Sequence, residues 1–302
     1  MTTPRPTPLP IAFAAGTLGI ALFSGMDAVM KGMTLAMGVY NAMLWRFGAI
    51  FVMTGILYFS RRPAMPGRDA LRFHVIRGMV TVVMALLFFW GLARVPMAQA
   101  IALCYIAPLL ALVLAAVLLK EKIGRGVIGA SLLAVAGVGV ILLGQAQAQL
   151  GEGALLGTFA IIASAVCYSY NIILMRQQAL VADPAEISFF QSFIVGGILL
   201  LAAPWLAALP PTEQIAPILL AAALATASLF LLSWAYARAE ANYLAPTEYT
   251  SFVWAALFGW LVFDENVSIY TLAGAALIVT ACLLAARRKA DFVAHDTEAA
   301  LP

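Results

Sequence analysis

Three ionisable side chains stand inside long apolar runs: Asp27 in FSGMDAVM, Arg46 in AMLWRFGAI and Glu248 in APTEYTSF. A charge in hydrocarbon costs about 2.5–3.5 kcal/mol on insertion scales, so each is a functional candidate. Asp27 falls roughly 6 Å from the end of its run and Arg46 roughly 10 Å from the start of the next. At such similar depths an aspartate and an arginine are expected to pair, because either alone is an unpaired buried charge. The pair reads as a gate that opens and closes, or as a fixed clamp. Glu248 reads as an acid that alternately takes a cationic group or a proton, since a dry environment disfavours its anion. Its other reading is a fixed pair with Arg176 or Arg238.

Polar and aromatic side chains at comparable depths are candidates to line a cavity: Gln99, Tyr105, Tyr168, Tyr170, Asn171, Gln191, Ser192, Tyr249 and Trp254. Aromatic walls suit a flat, amphipathic or cationic ligand through stacking and cation–π contact. Ordinary helix packing explains the same aromatics, and Trp90 and Trp234 near run ends fit interfacial tryptophan. Pro108 and Pro246 are candidate hinges, or static kinks, because an interior proline removes a backbone donor. Catalytic chemistry has little to work with. There are two histidines, His74 and His295, and no HExxH, GxSxG or P-loop pattern. Cys104, Cys167 and Cys282 lack metal-ligand spacing and read as packing residues. No enzyme activity, metal or cofactor is expected.

The elements that position these groups follow from composition. Of 302 residues, 64% are hydrophobic and 10% charged. A soluble domain carries about 25% charged residues, so most of this surface faces lipid. The net charge of +3 is too small to indicate nucleic acid. A spanning helix needs about 20 apolar residues. Ten runs qualify, near 9–30, 39–60, 74–92, 96–119, 125–144, 154–175, 186–208, 217–237, 242–263 and 268–286. They lack the period-2 alternation of a lipid-facing barrel, so the chain is read as an all-α polytopic membrane protein. The breaks include Arg61-Arg62-Pro63, Arg94-Val95-Pro96, Lys120-Glu121-Lys122, Asp183-Pro184, Pro210-Pro211 and Asp264-Glu265.

With both termini in the cytoplasm, fourteen Lys and Arg fall on the inner side and two, Lys31 and Arg94, on the outer. The first run has some signal-peptide character. Its removal would leave nine spans and put Arg287-Arg288-Lys289 on the wrong side, so it is read as a span.

The stretch from Trp90 to Glu121 matches Trp234 to Glu265 at a constant offset of 144, pairing Trp90 with Trp234, Arg94 with Arg238, Tyr105 with Tyr249 and Glu121 with Glu265. Asp27 falls opposite Asn171 and, after one inserted residue, Arg46 opposite Gln191. A repeat of five spans re-enters the membrane inverted, an architecture common in secondary transporters.

The segments PMAQAIALCYIAPLLALVLAAVLLKEK and ANYLAPTEYTSFVWAALFGWLVFDE resemble the fourth and ninth helices of the drug/metabolite transporter superfamily, in its ten-helix EamA-domain branch. The resemblance covers essentially the whole chain. It implies repeats at 1–150 and 151–288, a polar tail at 289–302, and a central cavity enclosed by spans 1–4 and 6–9. Spans 5 and 10 would pack aside, with a possible homodimer through them. It also implies a secondary transporter in the inner membrane, moving a small substrate such as an amino acid, S-adenosylmethionine, a vitamin or a drug. A non-transporting scaffold or sensor, or an intramembrane enzyme, is the alternative.

Overall fold

The computed structural model describes residues 9–60, 66–119, 125–147, 151–178, 180–239 and 241–299, and these residues contain helices and turns without strands. The expected breaks at Arg61-Arg62-Pro63 and Lys120-Glu121-Lys122 lie outside them. The elements run α1 (Leu9–Ser60), α2 (Arg68–Leu92), α3 (Met97–Cys104), α4 (Ala107–Leu119), α5 (Arg125–Gln147) and α6 (Gly151–Gln178). They continue as α7 (Pro184–Leu201), α8 (Ala203–Leu206), α9 (Thr212–Tyr236), α10 (Ala241–Phe263) and α11 (Ile269–Ala299). Among the described residues seven helices are long and apolar enough to cross a membrane, and α11 has a shorter apolar stretch, Ile269–Leu284. The chain is a polytopic membrane protein.

Helix α1 is two arms. Gly38 breaks it with φ 79° and ψ 155°, a region that essentially only glycine occupies. Twenty residues of continuous helix would separate Met26 from Arg46 by about 30 Å. Their side chains instead meet, with Arg46 Nη1 2.9 Å from Met26 Sδ. The chain therefore folds back at one residue, where the sequence suggested an eight-residue loop at 31–38.

The expected run 96–119 is broken in the middle, between α3 and α4. The N–H groups of Tyr105 and Ile106 tighten onto Ala102 O and Leu103 O, both at 3.3 Å. Pro108 just beyond has no N–H to restore the α-helical ladder. Pro246 leaves α10 continuous. Of the two candidate hinges, only Pro108 coincides with a break in the backbone.

The described chain forms two compact units. The first comprises residues 1–82 and 178–266, the second 83–177 and 267–302. In unit 1 the arms of α1 pack against α7, α9 and α10. Ser228 of α9 donates to the carbonyl of Gly19 at 2.8 Å. On the second arm, Tyr58 stacks on Phe189 of α7 at 4.8 Å, and Thr54 bonds Ser192 at 3.2 Å. The start of α7 is locally encoded: Asp183 accepts from Ala185 N and Glu186 N, with Pro184 in the first turn.

In unit 2, α5 packs on α11 through glycine. A Cβ added to Gly137 would lie 2.8 Å from Gly274 O. The helix α11 continues to Ala299, through most of the stretch read as a tail.

Two backbone positions give stability tests. Gly38→Ala should cost about 1–3 kcal/mol, from its left-handed conformation. Gly274→Ala should cost a similar ~1–3 kcal/mol by overpacking, whereas Gly139→Ala, with nothing within 4 Å of the added carbon, should be neutral. Thermal unfolding in detergent reads all three. Equal midpoints would contradict the Gly38 break and the α5–α11 contact.

Candidate functional site

In unit 1 the fold-back at Gly38 brings Asp27 and Arg46 to one level. Asp27 is 2% exposed and Arg46 5%, and each feels the other's charge. The expected pairing is present as this charge interaction. Asp27 Oδ1 has no hydrogen-bond partner. The Arg46 guanidinium meets Met26 Sδ at 2.9 Å and lies 4.7 Å from the centre of the Phe47 ring. Met26, next to Asp27 on the same arm, fills a position facing Arg46.

A second charged pair lies nearby, one that the charges inside the runs did not suggest. Lys31, 4% exposed, binds Glu265 Oε1 and lies 5.2 Å from the Phe263 ring centre. The end of α10 presents that carboxylate. Asp264 takes the left-handed conformation with φ 54°. Its N–H bonds Trp260 O at 3.1 Å and that of Glu265 bonds Gly259 O at 3.0 Å. This cap satisfies two terminal carbonyls and turns Glu265 toward α1.

Glu248 lies on an exposed face of α10, where its Oε1 accepts from the Tyr236 hydroxyl at 2.9 Å. Its partner is a phenol. Arg238, one of the two expected partners, instead stacks on Trp234 at 4.3 Å and donates to the Trp234 carbonyl at 3.2 Å. The Arg176 side chain lies outside the described ones. Tyr249 and Trp254 share α10 with Glu248, and Trp254 stacks on Phe258 at 6.4 Å. Among the buried polar atoms of unit 1 without a hydrogen-bond partner are Gln191 Oε1 and Trp254 Nε1.

Unit 2 holds the remaining candidates. Gln99 is 4% exposed and bonds Thr158 at 3.3 Å, which in turn donates to Gln145 at 2.8 Å. That ties Gln99 into packing among α3, α5 and α6. The carbonyl of Tyr105, at the break after α3, accepts from Cys282 Sγ at 3.2 Å. Asn171 is buried, with Nδ2 3.8 Å from Met175 Sδ on its own helix, while Tyr168 and Tyr170 are exposed. Arg94 stacks on Trp90 at 3.5 Å and donates to its carbonyl at 2.8 Å. Arg238 repeats this arrangement on Trp234, so both tryptophans serve as platforms for an arginine four residues on. Among the described residues no group of three His, Cys, Asp or Glu side chains is placed to hold a metal ion.

Breaking the Lys31–Glu265 pair from one side strands a buried charge, at about 3–5 kcal/mol. Lys31→Glu is expected to lower the unfolding midpoint, and the exchange Lys31→Glu with Glu265→Lys to recover most of it. A swap that recovers nothing would show that the two side chains are not partners.

Comparison with known proteins supplies the activity. The sequence profile of the EamA-like transporter family matches residues 11–143 and again 155–287. A riboflavin transporter of Rhizobium johnstonii is 31% identical over 281 residues, covering 90% of this chain and 89% of the relative. A pseudopaline exporter of Pseudomonas aeruginosa is 26% identical over 271 residues, covering 88% and 93%. A solved crystal structure, 22% identical, superposes with a TM-score of 0.59 over 91% of this chain and 97% of its own, which speaks for the fold. The relatives are transporters of small molecules and not enzymes. With both halves matched by one family profile, the chain belongs to the EamA-like transporter family and is a small-metabolite transporter of the drug/metabolite type.

Proposed function

We propose that the chain is a secondary transporter that carries a small amphipathic metabolite across the inner membrane by alternating access. The observation that carries this reading is the Asp27–Arg46 arrangement. Two opposite charges are buried at one level on the two arms of α1, and one carboxylate oxygen has no hydrogen bond. A static clamp gains its energy by closing, because charge-assisted hydrogen bonds offset the cost of burial. A carboxylate oxygen without a hydrogen bond, beside a buried arginine, suits a gate that rearranges in another state of the cycle, or an anchor that a substrate completes. Glu248, exposed and held by Tyr236, is the acid that meets a cationic group of the substrate. Tyr249 and Trp254 on the same helix supply aromatic surface, and Gln191 with its unpartnered oxygen supplies a polar contact. Asn171, Tyr105 and Tyr168 are the corresponding residues of the second unit.

The topology in this reading has ten spans with both ends in the cytoplasm, as two inverted repeats at 1–150 and 151–288. Several observations support it. The family profile matches twice, and the two arginine–tryptophan platforms recur at the 144-residue offset. Counting the arms of α1 separately, and α3 with α4 as one broken span, yields ten apolar segments among the described helices. No nucleotide-binding motif is present in the sequence, which favours gradient-driven transport.

Reconstituted into liposomes, the protein is expected to show saturable counterflow of a metabolite found by a thermal-shift screen of riboflavin, amino acids, S-adenosylmethionine and cationic drugs. Glu248→Gln should cut flux of a cationic substrate by about tenfold or more, the loss of one charge-assisted contact, with the unfolding midpoint unchanged. Asp27→Asn should reduce flux, and, by removing the opposite charge that buried Arg46 feels, should lower the unfolding midpoint as well. A fall in midpoint with flux intact would make Asp27 part of a clamp. An absence of counterflow with every ligand that stabilises the protein would overturn the transport mechanism.

A further inference from the structure

A second buried polar cluster lies in unit 1, apart from Asp27, Arg46 and Glu248. His74 of α2 is 0% exposed. Its Nε2 lies 2.9 Å from Glu186 Oε1 of α7, and its Nδ1 lies 2.7 Å from Gln178 Nε2, at the end of α6. Gln178, also 0% exposed, accepts from Arg77 Nη1 at 2.5 Å through its Oε1. Phe190 covers the imidazole face, with ring centres 4.7 Å apart and planes at 16°. The side chains come from three helices and are 101 to 112 residues apart in sequence.

The direction of every hydrogen bond in this chain follows from its far end. A guanidinium only donates. Arg77 therefore fixes the Gln178 carbonyl toward itself, and the Gln178 amide N–H₂ must point at His74. His74 Nδ1 must then accept, so the neutral ring carries its single proton on Nε2 and donates it to the Glu186 carboxylate. Rotating the Gln178 amide would set its N–H₂ against the guanidinium, so Gln178 cannot accommodate a proton on Nδ1 by flipping in place. Nδ1 has one lone pair, and either the Gln178 amide or a proton can use it.

We propose that His74 Nδ1 is a proton-binding site at which a proton and the Gln178 amide compete. The joined arrangement excludes the proton. The arrangement with Gln178 withdrawn accepts it, and yields an imidazolium facing the Glu186 carboxylate. The step is balanced: one proton from water is added to Nδ1, the Nε2–H bond to Glu186 is kept, and the Gln178–His74 hydrogen bond is lost. Among the described residues the charged and titratable groups around the ring are Glu186 and Arg77, with Asp183 and Tyr58 beyond Glu186. By linkage, acid favours the separated arrangement and alkali the joined one. If transport passes through separation of α2 from Gln178, one proton is taken up at that step. This last consequence rests on the transport reading above; the proton site does not.

The chain has two histidines, His74 and His295, so His295→Gln leaves one imidazole to observe. In that background, ¹⁵N-histidine spectra of the full protein in nanodiscs should show a ring protonated on Nε2 alone at high pH. A second proton should appear on Nδ1 as the pH is lowered. Gln178→Glu supplies an acceptor to Nδ1 while keeping the Arg77 contact, and should raise the midpoint by about one pH unit or more, a tenfold gain in proton affinity. A ring protonated on Nδ1 at high pH, or a midpoint that Gln178→Glu leaves in place, overturns the site. Counterflow of riboflavin, or of another metabolite identified by thermal shift, then tests the use of the site. His74→Gln should flatten the pH dependence of flux, and an unchanged pH profile overturns coupling while the spectroscopic result stands. Absence of flux at every pH in the unsubstituted protein counts against the transport reading and the coupling together, not against the proton site.

Discussion

Hydrocarbon offers a polar group no hydrogen-bond partner, and most of the architecture follows from having to supply one inside the protein. The simplest solution is local. Thr54, Thr226 and Ser188 donate to carbonyls four residues back on their own helices. A second solution ties helices together: Ser228 reaches the Gly19 carbonyl, Ser164 the Met84 carbonyl, and Gln99, Thr158 and Gln145 satisfy one another. The ionisable groups face the highest cost and have the most specific arrangements. Lys31 closes on Glu265, and His74 is bonded at both ring nitrogens. Against that background the unpartnered oxygen of Asp27 stands out.

Lipid also removes the usual reason for helices to associate, since a leucine gains little by leaving lipid for another leucine. The two units meet this in different ways. Unit 2 relies on backbone approach, with Gly137 against Gly274 on α5 and α11, and Gly91 against Gly157 on α2 and α6. Unit 1 relies on aromatic surface, with Phe189 at the centre of contacts to Phe51, Tyr58, Phe59, Phe190 and Phe193.

The family relationship sets the type of protein and leaves the cargo open. Relatives of similar overall likeness include a riboflavin transporter and a pseudopaline exporter. A shared helical frame therefore serves different ligands, and the choice lies in a few side chains set on it. In unit 1, Glu248 with Tyr236, and Gln191 and Trp254, each with one buried atom lacking a hydrogen bond, lie on α7, α9 and α10.

Much of the fold is legible without coordinates. Apolar runs of the right length read as helices, and Asp183-Pro184 as a break between two of them. These are consequences of interactions within about one helical turn, which the local order of residues controls. Asp27 and Arg46 were also legible as residues of similar depth, because one turn between consecutive spans brings equal depths together. What the local order could not decide is which distant side chain takes each polar group. Glu265 lies 234 residues from Lys31 and Glu186 lies 112 from His74. Met26 meets the Arg46 guanidinium, and Gln99 is absorbed by Thr158. Those outcomes depend on the rotation of each helix about its axis and its register against its neighbours, quantities set by packing over whole helix faces. The sequence by itself determined a lipid-embedded bundle of helices with charges inside it; only the tertiary structure decided which side chain each of them meets.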